Sequence, residues 1–231
     1  MAKTHLRIVV ALVCSGATSA RHAAARDVAA RDLDVILYGA YGCVGHLTAS
    51  HLASLDSLTW AVAGRNETKL QALKETLFGP SSSPEIIVSE LGDTADLSWV
   101  ARAKAVATAA GPFSVNEGES LLEACAAAGT HYVDTSDEFY WQRQMIDAYD
   151  DAATASGARV VLAGGFCVVA GDLGAQEALD AARADAGAAR SDAGAPASVD
   201  AWLEGYSGGL SAGVINTPTN ASYPPAWETD P

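Results

Sequence analysis

The chain has 231 residues and a mass of 23.6 kDa, room for one full domain and part of a second. Hydrophobic residues make up 49% and charged residues 18%, which excludes a disordered chain. The formal net charge of −14 argues against nucleic acid and anionic membrane surfaces as partners.

Residues 1–30 stand apart: Asp27 is their sole acid, while Lys3, Arg7, Arg21 and Arg26 are basic. The apolar run Ile8 to Cys14 is too short to span a bilayer, and small residues follow it to Ala20. This order predicts a secretory or organellar (mitochondrial or plastid) targeting segment, set against a plain alanine-rich tail. Residues 1–31 are therefore excluded from the expected fold.

From Asp34 onward, strands and helices alternate. Asp34 to Tyr38 reads as a buried strand ending at Gly39, and Gly42 to Leu55 as a helix. Thr59 to Ala63 reads as a second strand, with Asn66 capping a helix to Leu77. Gly79 to Pro84 is a loop, Ile86 to Val88 a third strand, and Asp96 opens a short helix. Ala105 to Ala109 is strand four, and Glu117 to Ala128 a helix closed by Gly129. His131 to Asp134 is strand five. Glu138 to Ser156 is a helix with Trp141, Met145, Tyr149 and Ala153 at i+4 steps. Arg159 to Ala163 is strand six. The expected fold class is α/β: a Rossmann-type, doubly wound parallel sheet over residues 32–165.

Beyond residue 165 a partial, second α+β domain is expected over 166–231. A helix is expected to start at Asp172. The low-complexity tract Ala181 to Ala197 reads as a loop or frayed helix extension, and Ser198 to Gly205 as a strand.

The strongest chemical signal is Gly39-Ala40-Tyr41-Gly42-Cys43-Val44-Gly45, a G-x-x-G-x-x-G loop between a strand and a helix. There the first glycine permits the turn, the second admits a pyrophosphate, and the third lets helix and strand approach. A tight structural turn is the plainer alternative. No acid occurs from Trp60 to Asn66 to hold a ribose 2′-OH, so Arg65, with help from Asn66, is the expected 2′-phosphate ligand, and the expected cofactor is NADP. A solvated Arg65 with Asn66 as a simple N-cap is the competing view. Gly111-Pro112-Phe113 follows strand four on the expected nicotinamide side. Tyr132 and Asp134, at the end of strand five, are candidate substrate contacts, against a turn-capping role for Asp134.

Taken together and in order, several segments resemble the saccharopine dehydrogenase-like oxidoreductases. They are Asp34 to Gly45, Ala63 to Asn66, Gly111 to Phe113, Glu123 to Cys125, Ala128 to Asp134, Gly165-Phe166, Gly171 to Gly174 and Ser207 to Ser211. The resemblance implies an NADP-binding Rossmann domain, a second α+β domain and hydride transfer to an unsaturated or carbonyl substrate. Relatives of that family include trans-acting enoyl reductases of lipid biosynthesis and a lipid-droplet-associated group. It thus implies a small-molecule, lipid-like partner and a chain shorter than most of its kin. Tyr41 and Cys43 stand where that family commonly has Thr and Phe. Gly164 to Ala170 replaces a family run containing an acid and a hydroxyl, and no catalytic residue is assigned.

Other chemistries find less support. Cys14, Cys43, Cys125 and Cys167 form no C-x-x-C pair, and the five histidines form no H-x-x-x-H, so neither a disulfide framework nor a metal site is expected. Gly205-Tyr206-Ser207-Gly208-Gly209 satisfies a nucleophile-elbow pattern, but no histidine follows His131 to serve as base. The real rival to an oxidoreductase is a non-catalytic NADP-binding or interaction module, or an inactive shortened product.

Overall fold

A computed structural model describes residues 31–78 and 84–185. Expectations for 1–30, most of the 79–84 loop and 186–231, including the Ser198 to Gly205 strand and the Ser207 segments, lie outside the described residues.

Among the described residues, six strands form one parallel sheet: β1 (Leu33–Tyr38), β2 (Trp60–Gly64), β3 (Glu85–Val88), β4 (Ala103–Thr108), β5 (His131–Asp134) and β6 (Val160–Val161). Their order is β3-β2-β1-β4-β5-β6, so the chain reverses direction across the sheet between β1 and β4. This is the doubly wound Rossmann arrangement, whose ligands sit at the carboxyl ends of the strands beside that reversal. Register pairs Tyr38 of β1 with Ala63 of β2 on one side and Thr108 of β4 on the other.

Helices α1 (Cys43–Leu52), α2 (Glu67–Phe78), α3 (Gly118–Ala128) and α4 (Phe139–Ser156) cover the sheet, and α5 (Phe166–Asp185) follows β6. Strand residues alternate between two cores. Val35, Leu37, Trp60 and Val62 pack with Ala49 and Leu52 of α1 and Leu70 and Leu73 of α2. Ile36, Tyr38, Ala61 and Val106 pack with Leu121 and Leu122 of α3 and Trp141 and Met145 of α4. Both faces of β1 and β2 are therefore dry, which is why these strands read as unbroken apolar runs. Each fully buried Leu, Ile or Val contributes about 1.5–3 kcal/mol of hydrophobic stabilisation.

The amino ends of the strands carry ion pairs. Arg102 pairs with Asp32 at 2.6 Å and Glu85 at 2.8 Å, and Lys104 with Asp34 at 2.6 Å. Arg31, set aside with the N-terminal segment in the sequence reading, belongs to this edge. Its guanidinium donates to the carbonyls of Ala103 (2.7 Å), Ala128 (3.2 Å) and Gly129 (2.9 Å), and so satisfies orphan acceptors at the end of α3.

Strand four runs two residues earlier at its start than expected, other ends shift by a residue, and four boundaries differ for reasons visible in the structure. The first helix stops at Leu52 instead of Leu55, because the Ala53, Ser54 and Leu55 N–H groups turn back onto Ala49, His51 and Leu52. The short helix expected from Asp96 is a 3-10 turn at Ser98–Arg102, with Asp96 Oδ1 accepting from Ser98 N–H. The sixth strand shrinks to Val160–Val161. Past it, Ala163 takes a left-handed φ of 57°, and its N–H goes to the Asp134 carboxylate at 2.9 Å. The last helix starts at Phe166, six residues before the expected Asp172, with its first bond from Val169 N–H to Gly165 O at 3.0 Å.

Candidate cofactor site

The glycine loop follows β1 directly. Gly39 adopts a φ of 77°, which a side chain rarely tolerates, and a Cβ there would meet Ala110 N at 3.1 Å. Gly42 N–H then closes a turn onto Gly39 O at 3.0 Å, and α1 begins at Cys43. No side chain caps this helix start, so its first N–H groups and positive dipole end are free for an anion. A Cβ on Gly45 would strike Gly39 O and come within 2.9 Å of Ala40 Cα; this glycine brings helix and loop into contact. A Cβ on Gly42 would meet Gly39 O alone, at 3.3 Å. Gly42 thus leaves open the approach to the uncapped helix. Cys43 and Val44 are exposed on its first turn, and Ala40 is buried beneath it.

Tyr41 leans toward β2. A Cβ on Gly64 would meet its ring at 2.9 Å, so that glycine makes room for the tyrosine. Arg65 follows, exposed, and Asn66 Oδ1 accepts from Lys69 N–H at 3.0 Å, capping α2. Lys69 Nζ in turn lies 5.4 Å from the centre of the Tyr41 ring. Two cations, Arg65 and Lys69, therefore lie from the end of β2 into the first turn of α2, where Glu67 is the one carboxylate, and it is exposed. A shallow cavity of about 320 Å³ lies between α1 and α2, with Tyr41, His46, Lys69 and Thr76 on its walls.

On the other side of the reversal, the segment after β4 packs Ala110 against Gly39. Asn116 Nδ2 donates to Ala110 O at 3.0 Å. Gly111, half-buried, leads to buried Pro112 and Phe113. Phe113 is 3% exposed, its ring stacks on Trp141 with centroids 5.5 Å apart, and its carbonyl accepts from Gly118 N–H at 3.0 Å, so this candidate residue presents neither side chain nor backbone to a ligand, which corrects the sequence reading. Sequence reasoning missed what holds this segment: Glu138, 3% exposed, accepts from Phe113 N–H at 2.6 Å and Ser114 N–H at 2.9 Å.

Tyr132 and Asp134 do not face a substrate, which corrects the sequence reading. Both are 1% exposed, and alternation within β5 turns both side chains into the core. Tyr132 Oη donates to Asp134 Oδ2 at 3.1 Å. Asp134 Oδ1 accepts from Ser136 N–H (3.0 Å), Ser136 Oγ (2.7 Å) and Ala163 N–H (2.9 Å). Burial pushes the Asp134 carboxyl above its ordinary range, against the pull of these bonds. Burial, then the charge of Asp134, raises the Tyr132 phenol well above its usual value. The pair ties the turn after β6 to β5.

Residues 35–161 match the model of the saccharopine dehydrogenase NADP binding domain. The chain belongs to this family. Its cofactor is NADP, and the uncapped helix, the glycine cradle and the cationic, carboxylate-free end of β2 fit that dinucleotide. A putative trans-acting enoyl reductase of Mycobacterium tuberculosis is 36% identical over 197 residues, which cover 84% of this chain and 46% of the relative. A trans-acting enoyl reductase of Mycobacterium ulcerans is 39% identical over 147 residues, covering 63% and 35%. The chain thus spans less than half the length of these curated relatives. Saccharopine dehydrogenase (L-Glu forming) from Saccharomyces cerevisiae shares the fold at a TM-score of 0.54 and 22% identity, over 66% of this chain and 32% of that one.

Proposed function

We propose that this chain is the cofactor-holding part of an NADPH-dependent reductase acting on an unsaturated or carbonyl group of a lipid-like substrate. The observation that carries the proposal is the pairing of an uncapped, glycine-lined helix start with exposed Arg65 and Lys69 beside it. The names of the mycobacterial relatives support the enoyl class of substrate. NADPH, when bound, supplies the hydride. The chain's own work is to bind and orient it: backbone N–H groups of α1 take the pyrophosphate, and Arg65 takes the 2′-phosphate.

Titration of NADPH and NADH, followed by calorimetry, tests this. Arg65 should favour NADPH by about 10- to 100-fold, the equivalent of a charge-assisted bond of about 1.5–3 kcal/mol. Arg65→Ala should remove most of that preference and leave NADH binding nearly unchanged. A preference that survives the substitution would refute the role of Arg65. Oxidation of NADPH on adding an enoyl thioester tests the reaction itself.

A second reading, an NADP-binding module without turnover, has its own supporting observation. Tyr132 and Asp134, candidate substrate contacts at the end of β5, are locked inside the fold. Tight NADPH binding with no oxidation of the cofactor by enoyl or carbonyl substrates would favour it.

A further inference from the structure

Glu138 is a carboxylate with 3% exposure, set just before α4, and it pairs with no cationic side chain among the described residues. Its two oxygens accept from two successive amides, Phe113 at 2.6 Å and Ser114 at 2.9 Å. Such an arrangement costs desolvation of a charge, and two charge-assisted bonds offset that cost. The segment it grips leaves the carboxyl end of β4, the strand beside β1 at the reversal of the sheet. In a dinucleotide fold the two halves of the sheet each hold one nucleotide, with adenosine over β1-β2-β3 and nicotinamide over β4-β5-β6. The segment also abuts the glycine loop, through Ala110 against Gly39. The same β5–α4 connection supplies Ser136, whose hydroxyl and carbonyl accept from Gln142 Nε2, each at 3.1 Å. That connection is therefore braced on α4 while it holds the neighbouring loop.

We infer that Glu138 is a positioning residue for the nicotinamide side of the NADP site: by fixing the Phe113 and Ser114 amides it sets the wall that half-buried Gly111 presents to the crevice. The inference rests on the NADP assignment of this crevice and adds to it a residue that touches no cofactor.

The test compares two ligands on the full chain. NADPH fills both halves of the crevice; adenosine 2′,5′-bisphosphate fills the adenosine half alone. Glu138→Gln leaves one acceptor oxygen and turns an NH₂ donor toward an amide donor, so one of the two bonds is lost. NADPH should then bind about tenfold more weakly, the equilibrium counterpart of one such bond, while the bisphosphate changes less than about twofold. Equal losses for both ligands would make Glu138 a merely structural residue and overturn the inference, as would unchanged NADPH binding. If the unmodified chain binds neither ligand, the cofactor assignment itself falls and takes the inference with it. Should circular dichroism show Glu138→Gln unfolded, amide hydrogen exchange on the unmodified chain decides. NADPH should slow exchange at the Ala110, Gly111, Phe113 and Ser114 amides and the bisphosphate should not; equal protection, or none, overturns the inference.

Discussion

Two glycines of the loop, three residues apart, should fail in opposite ways when given a methyl group. At Gly45 the added Cβ would overlap Gly39 O and crowd Ala40 Cα at 2.9 Å, both of them backbone atoms that cannot swing aside. Overpacking of this kind costs about 1–3 kcal/mol and sometimes more, a large share of the roughly 5–15 kcal/mol that holds a domain together. At Gly42 the added Cβ meets Gly39 O alone, at 3.3 Å, and the backbone φ of −71° suits any residue. Ala is a poorer helix cap than Gly but loses less chain entropy on folding, so stability should change by less than about 1 kcal/mol. That same methyl would project toward the free N–H groups of α1. If a pyrophosphate docks there, Gly42→Ala should weaken NADPH at least about tenfold, or 1.4 kcal/mol. Urea unfolding measures the first quantity and calorimetric titration the second. The reasoning is refuted if Gly42→Ala binds NADPH as tightly as the unmodified chain, or if the two variants lose stability equally.

Two further expectations concern the scaffold. Gly129 and Gly157 both end helices at positive φ (70° and 83°), but a Cβ on Gly129 would meet Ser156 O at 2.9 Å, whereas one on Gly157 meets nothing within 4 Å. Gly157→Ala should cost about 1–2 kcal/mol from backbone conformation, and Gly129→Ala measurably more, by thermal or urea unfolding. Asp34 takes bonds from Lys104 Nζ (2.6 Å) and from Thr59 N–H and Oγ, which draw its carboxyl down to about 2 from 3.8. Its folded value lies below its unfolded one, so this stabilisation is complete above about pH 4 and disappears as pH falls toward 2. Lys104 is 64% exposed and its attraction is screened, so Asp34→Asn should remove about 1 kcal/mol near neutral pH and flatten the acid limb. An acid limb unchanged by Asp34→Asn would contradict that assignment.

The elements visible in the sequence were those bounded by their own chemistry. Tyr38 meets Gly39, Ala128 meets Gly129 and Ser156 meets Gly157; each boundary is a local conformational event that glycine announces. Asn66 declared its helix in the same way, through a bond spanning three residues. What escaped depends on contacts distant in the chain. Glu138 finds its partners 24 and 25 residues earlier, and Arg31 finds carbonyls 72 to 98 residues later; nothing near either residue records this. Strand six was overextended because Arg159 to Ala163 has strand composition, while the left-handed Ala163 is imposed from outside by Asp134. The inward turn of Tyr132 and Asp134 was a readable signal. Residues two apart on a strand share a face, and a sheet with helices on both sides hides both faces.

The ion pairs of Asp32, Asp34, Glu85, Arg102 and Lys104 lie at the opposite end of the strands from the glycine loop. The six residues of β1, at about 3.3 Å each, separate the two ends by roughly 17–20 Å, about twice the screening length in physiological salt. Substitutions that far apart contribute additively. The molecule can therefore drift in one property while holding the other. If Arg65 sets nucleotide choice as proposed, losses of robustness incurred while retuning it can be repaired among these charges, and the repair leaves the nucleotide preference as it was.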